Sequence, residues 1–257
     1  MNQDLREAGP LAPGRDDSVS GPKDDASLAA PPGLSVAAAA SLIKPKLRGV
    51  LHMINTPLAL IGGLLLLILA DDPLVRVGCA VWTLTAVLLF GHSAVYHRGR
   101  WTEKVEAVLR RVDHSNIAVF IAGTYTPLAL ALLEGTSRVV LLSVIWGCAL
   151  AEVLFRTFWL GAPRWLYVAL YIAMGWVALF WLPSFWASGG PAVVILLLAG
   201  GVCYTLGAVV YARKRPNPSP KWFGFHEIFH AFTVAAFVAH FAAASIAVAT
   251  SPLVVAG

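Results

Sequence analysis

Seven stretches of this chain are apolar over enough residues to cross a lipid bilayer: Leu51 to Ala70, Leu74 to Tyr96, His114 to Leu133, Arg138 to Trp159, Trp165 to Pro183, Pro191 to Tyr211 and Phe223 to Ala249. About 20 residues of helix cover roughly 30 Å of hydrocarbon, where a backbone must satisfy its own N–H and C=O groups. The expected fold is therefore all-α, a seven-helix transmembrane bundle. Composition agrees, with 58% hydrophobic and 13% charged residues where soluble domains carry about 45–50% and about 25%.

Charge sets the orientation. Fourteen Lys and Arg residues fall before span 1, between spans 2 and 3, around the turn after span 4 and before span 7, whereas only Arg76 and Arg138 lie on the opposite side. Basic loops stay in the cytoplasm, so the amino terminus is expected inside and the carboxyl terminus outside. The pI of 9.3 then needs no nucleic-acid partner, because these residues set topology and meet anionic lipid headgroups. Residues 1–43, with Pro10, Pro13, Pro22, Pro31 and Pro32 among Gly, Ala, Asp and Ser, are expected to form a disordered cytoplasmic tail. The transmembrane domain follows over 44–257. Cys79, Cys148 and Cys203 fall singly in three different spans, a pattern of packing and not of disulfides.

Ionisable groups at membrane depth are costly and usually have a task. The last span opens with His226-Glu227-Ile228-Phe229-His230, and positions i and i+4 share a helix face, so both imidazoles can point at one ion. Span 2 ends with Ser93 and His97 one turn apart, and span 3 begins at Asp113-His114. The expected topology puts all these helix ends on the cytoplasmic side, where His97, Asp113, His226 and His230 can meet. Three neutral imidazoles suit zinc, and three protein ligands leave an open position for chemistry. Zinc brings water to a pKa of about 7; Asp113 could then orient that water and take its proton, with Ser93 bonding to the site or to a substrate carbonyl. Hydrolysis of an amide or ester is the chemistry so equipped. Asp113 read instead as a helix-start carboxylate favoured by the dipole is an equal alternative at this point.

These residues resemble the hemolysin III family, within the progestin and adipoQ receptor superfamily of seven-span proteins. The resemblance is carried by Lys44 to His52, Ser93-Ala-Val-Tyr-His97, Asp113 to Pro127 and His226-Glu-Ile-Phe-His230, and it runs from about residue 44 to the end. It implies that His97, His226 and His230 bind zinc, that Asp113 and Ser93 support its water, and that the site is cytoplasmic. Eukaryotic relatives look like ceramide-directed hydrolases or receptors, while the hemolysin name comes from cell lysis attributed to some members. Three functions thus stand open: a hydrolase of a lipid-like substrate, a cytolytic pore with structural zinc, and a lipid sensor.

HEIFH also fits HExxH, in which the Glu is the base of a metalloprotease. An intramembrane metalloprotease with Glu227 as its base is therefore a rival reading, although no later Asp-Gly or Asn-Pro-Asp-Gly segment offers its third ligand, and a first-turn helix carboxylate is the preferred reading of Glu227. His52 lines the site entrance or makes an interfacial hydrogen bond. His92 lies about 140° around its helix from His97, His114 about 100° from Asp113, and His240 roughly 80° from His230, so none is expected to share the ligand face. Glu152 and Arg156, at i and i+4, are expected to neutralise one another. Pro127 should kink span 3, with the neighbouring threonines satisfying freed carbonyls, and Thr102 to Val112 reads as a separate amphipathic helix.

Overall fold

A computed structural model describes residues 45–159 and 161–251; the expected tail over 1–43 lies outside them. All the regular structure described is helical. The helices are α1 (Val50–Leu69), α2 (Pro73–Arg98), α3 (Glu103–Leu132), α4 (Gly135–Phe158), α5 (Arg164–Gly175), a 3-10 turn (Trp176–Trp181), α6 (Leu182–Arg213) and α7 (Phe225–Ala249). Six stretches among the described residues are long and apolar enough to cross a membrane: α1, α2, α3, α4, the run Arg164–Arg213, and α7.

The expected fifth and sixth spans thus fall within one stretch of 50 residues. Pro183 does not end a helix, because it sits in the first turn of α6, where a missing N–H costs nothing. The interruption comes at Gly190, whose φ of 76° and ψ of 177° are open to glycine alone. Beyond it the chain returns: Arg164 donates to the Tyr211 carbonyl at 3.1 Å, and the Trp176 indole donates to Thr205 Oγ1 at 3.0 Å.

Two further expectations change. Thr102 to Val112 is no separate element, since α3 runs unbroken from Glu103 to Leu132; nothing between Val112 and His114 is a helix breaker. The helix continues through Pro127, and it is the expected role of the threonines there that changes. Thr124 and Thr126 donate to the carbonyls of Phe120 and Ala122, one turn back, rather than to Gly123, whose carbonyl loses its donor to the proline ring.

Helices in lipid gain little from apolar burial and associate through close packing. In α1 the buried residues His52, Asn55, Ala59, Gly62, Gly63 and Leu66 recur every three or four positions and form one stripe, while Ile54, Leu58, Ile61 and Ile68 face outward. Gly63 is needed there, because a Cβ would lie 2.2 Å from Thr83 Oγ1 of α2. Asp72 caps α2 by accepting from the N–H groups of Leu74 and Val75 at 2.8 and 2.9 Å. An aromatic core of Trp82, Phe90, Phe120 and Phe237 joins α2, α3 and α7, with the Trp82 and Phe237 rings stacked at 5.1 Å. The segment before α1 pairs with the segment before α7, through Lys46 N–H to Lys221 O at 3.0 Å and Leu47 N–H to Trp222 O at 3.3 Å. The first turns of these two helices are thereby held side by side.

Candidate metal centre

Four helices deliver polar side chains to one end of the bundle: His52 from α1, Ser93 and His97 from the last turns of α2, Asp113 from α3, and His226 and His230 from the first turns of α7. His97 and His230 are buried and His226 half-buried. One nitrogen from each of these three lies within 4.8 Å of the others, and the Nε2 atoms of His97 and His226 are 3.1 Å apart. Two ring nitrogens so close either share one proton, one donating to the other, or turn both lone pairs toward a common cation. The three expected ligands thus converge with the donor set zinc favours.

Asp113 is buried with Oδ2 3.8 Å from His97 Nε2, and Ser93 stands beside it in the cavity lining. The helix-start alternative for Asp113 fails, because α3 begins at Glu103, almost three turns earlier.

Glu227 is 1% exposed, and each of its carboxylate oxygens has a partner outside the three histidines. Its Oε2 accepts the Gly224 N–H at 2.8 Å, closing the first turn of α7, and its Oε1 pairs with Arg48 Nε. One oxygen thus caps α7 itself and the other joins α7 to the residues leading into α1.

Two residues of the site carry weight that spacing alone did not reveal. Gly49 caps α1 at φ 79°, and a Cβ there would fall 2.8 Å from His97 Cβ; the signal was the glycine directly after Arg48. The His52 ring lies flat on His230, centroids 3.6 Å apart and planes 12° from parallel, with Phe90 edge-on at 5.1 Å. Neither of its ring nitrogens has a hydrogen-bond partner among the described residues.

The remaining histidines stand apart, as their helical angles predict. His92 Nε2 faces the Leu109 carbonyl at 2.9 Å and His240 Nε2 the Leu197 carbonyl at 3.1 Å. His114 Nδ1 accepts from Arg156 Nη2 at 2.6 Å. That contact corrects the expected Glu152–Arg156 pair: the guanidinium turns to His114 and lies over the Tyr167 ring at 4.2 Å, and no ion pair joins it to Glu152 among the described residues. From the cluster a cavity of about 130 Å³ runs into the bundle, with His52, Asp113, His226 and His230 at one end and Tyr204 and His240 among its walls. Ile117, Phe120, Ile121 and Val168 make much of the rest apolar.

Fold and site together define a multi-pass, all-α membrane protein with a buried cluster of three histidines at one end of its bundle. Residues 40–241 match the family described as Haemolysin-III related, and the chain belongs to that family. The Hemolysin-3 homolog of Bacillus subtilis (strain 168) is 33% identical over 150 residues, which cover 58% of this chain and 70% of the relative. Hemolysin-3 of Bacillus cereus is 32% identical over 147 residues, covering 57% and 67%.

Proposed function

We propose that this protein is a zinc-dependent membrane hydrolase that cleaves a lipid amide or ester, with the acyl chain held in the cavity. The observation that carries this reading is the convergence of three imidazoles beside a buried carboxylate, at the polar end of a largely apolar cavity. His97, His226 and His230 would hold the ion; imidazoles without a carboxylate ligand favour zinc over harder metals. When bound, zinc supplies a Lewis acid and a water that ionises near neutrality. Asp113 takes the proton of the attacking water and returns it to the leaving amine or alcohol. Ser93 holds the Asp113 carboxylate in register, and His52 braces the face of the His230 ring. The apolar walls keep bulk water from the reacting carbonyl. The same reading takes Arg164–Arg213 as two spans folded back at Gly190, giving seven in all as in the progestin and adipoQ receptor superfamily, with the amino terminus and the histidine cluster on the cytoplasmic side.

Two relatives carry the name Hemolysin-3, so a lytic protein with structural zinc is the second reading. The aromatic packing of Trp82, Phe90, Phe120 and Phe237 through the bundle interior favours a closed enzyme over a wide pore. A metalloprotease based on Glu227 is disfavoured because both carboxylate oxygens already have partners. The test is release of fatty acid from ceramide and from diacylglycerol by metal-replete protein in nanodiscs, with vesicle dye release measured in parallel. Hydrolysis without dye release is expected. Dye release with no cleavage of either lipid would move the assignment to the lytic reading.

A further inference from the structure

The cavity has a second polar region, far from the histidine cluster and without an obvious use. His240 follows His230 by ten residues on α7, about 15 Å along the helix axis. Its ring packs over Gly200 of α6, where a Cβ would lie 2.2 Å from His240 Cδ2, and Nε2 reaches the Leu197 carbonyl at 3.1 Å. A carbonyl only accepts, so Nε2 carries the proton and Nδ1 of the neutral ring is left as an acceptor. Nδ1 is shut off from solvent and has no hydrogen-bond donor among the described residues. Tyr204, on α6, stands beside it with ring centroids 5.5 Å apart, and its hydroxyl is likewise buried without a partner. Both side chains line the cavity that begins at His226 and His230.

Two orphaned polar atoms in an apolar setting each cost free energy until something satisfies them. Here one needs a donor and the other offers a proton. A ligand hydroxyl can meet both needs, donating to His240 Nδ1 and accepting from Tyr204; an ether or ketone can only accept, and a methylene does neither. We propose that Tyr204 and His240 form a hydroxyl-recognition subsite, so that the lipid held in this cavity bears a hydroxyl on its chain, about a dozen carbons from the group placed at the histidine cluster. The proposal rests on the lipid-binding reading of the cavity, and it specifies which lipids.

The test is equilibrium binding of long-chain fatty acids to the full-length protein in nanodiscs, comparing a chain hydroxylated beyond its midpoint with the plain acid and with the matching methyl ether. Wild type should prefer the hydroxy acid over the plain acid by about tenfold or more, with the ether between them. Tyr204→Phe, which removes one oxygen atom, and His240→Leu should each erase most of that preference while leaving the affinity for the plain acid unchanged. Equal affinity for hydroxylated and plain chains, a preference that survives both substitutions, or failure of every chain to bind would overturn the proposal; in the first two cases the polar pair holds only water. Because binding is read without turnover, repeating the series with Asp113→Ala separates the two ideas. A preference kept in Asp113→Ala shows the subsite acting without the chemistry, and a preference in wild-type protein that cleaves neither ceramide nor diacylglycerol supports the subsite and counts only against the hydrolase.

Discussion

Two buried carboxylates flank the same three histidines, and they are built for different tasks. Glu227 is the neighbour of His226 in sequence, yet its oxygens are spent on the Gly224 N–H and on Arg48. Asp113 is more than a hundred residues from His226, yet it lies against His97, has Ser93 beside it and lines the cavity. A satisfied carboxylate acts as a clamp. One with spare acceptor capacity facing a cavity can accept a proton from a reactant. The sorting depends on what reaches each oxygen and not on distance along the chain.

That contrast can be broken by substitution, and the largest expected effect lies with Asp113. Asp113→Ala should lower fatty-acid release by about 10²–10⁴-fold while metal content, measured on the same preparation, stays at the wild-type level. Unchanged turnover would remove Asp113 from the chemistry. Glu227→Gln should act in the opposite sense. It leaves Arg48 without its counter-charge, so stability should fall by about 3 kcal/mol, seen as a lower unfolding midpoint in nanodiscs, with turnover per folded, metal-loaded molecule preserved. A hundredfold loss of turnover at an unchanged midpoint would instead make Glu227 the base.

Smaller effects sharpen the same picture. Gly49→Ala forces a side chain into a left-handed conformation and against His97, costing about 1–3 kcal/mol; metal should also dissociate faster in a chelator competition. Ser93→Ala should slow turnover by about tenfold with the unfolding midpoint unmoved, because it loosens the Asp113 carboxylate without opening the core. A Ser93→Ala protein with full activity would leave Asp113 held by packing alone.

Much of this was legible in the sequence, for reasons that particular residues make plain. Long apolar runs mark the membrane-crossing helices because lipid imposes one rule on every backbone segment. The i, i+4 spacing of His226 and His230 shows a shared face because that relation is local. Helix continuity was harder: Glu103 to Val112 is charged enough to suggest an independent surface helix, but nothing separates it from the span that follows. The fifth expected span ended at Pro183, which is tolerated in a first turn, whereas Gly190 carries the break. Long-range contacts were invisible. Arg48 gives no sign of its partner 179 residues away, Arg156 prefers His114 to the glutamate one turn before it, and His52 meets His230 face to face only because the segments before α1 and α7 pair.

Every role proposed for this site depends on His97, His226 and His230 holding zinc. Elemental mass spectrometry on detergent-purified, chelator-free protein, wild type against a His226→Ala, His230→Ala double variant that elutes as a single species, tests it most directly. About one zinc per chain is expected in wild type and none retained in the variant. Wild-type protein without stoichiometric metal, or equal zinc in both, would contradict it.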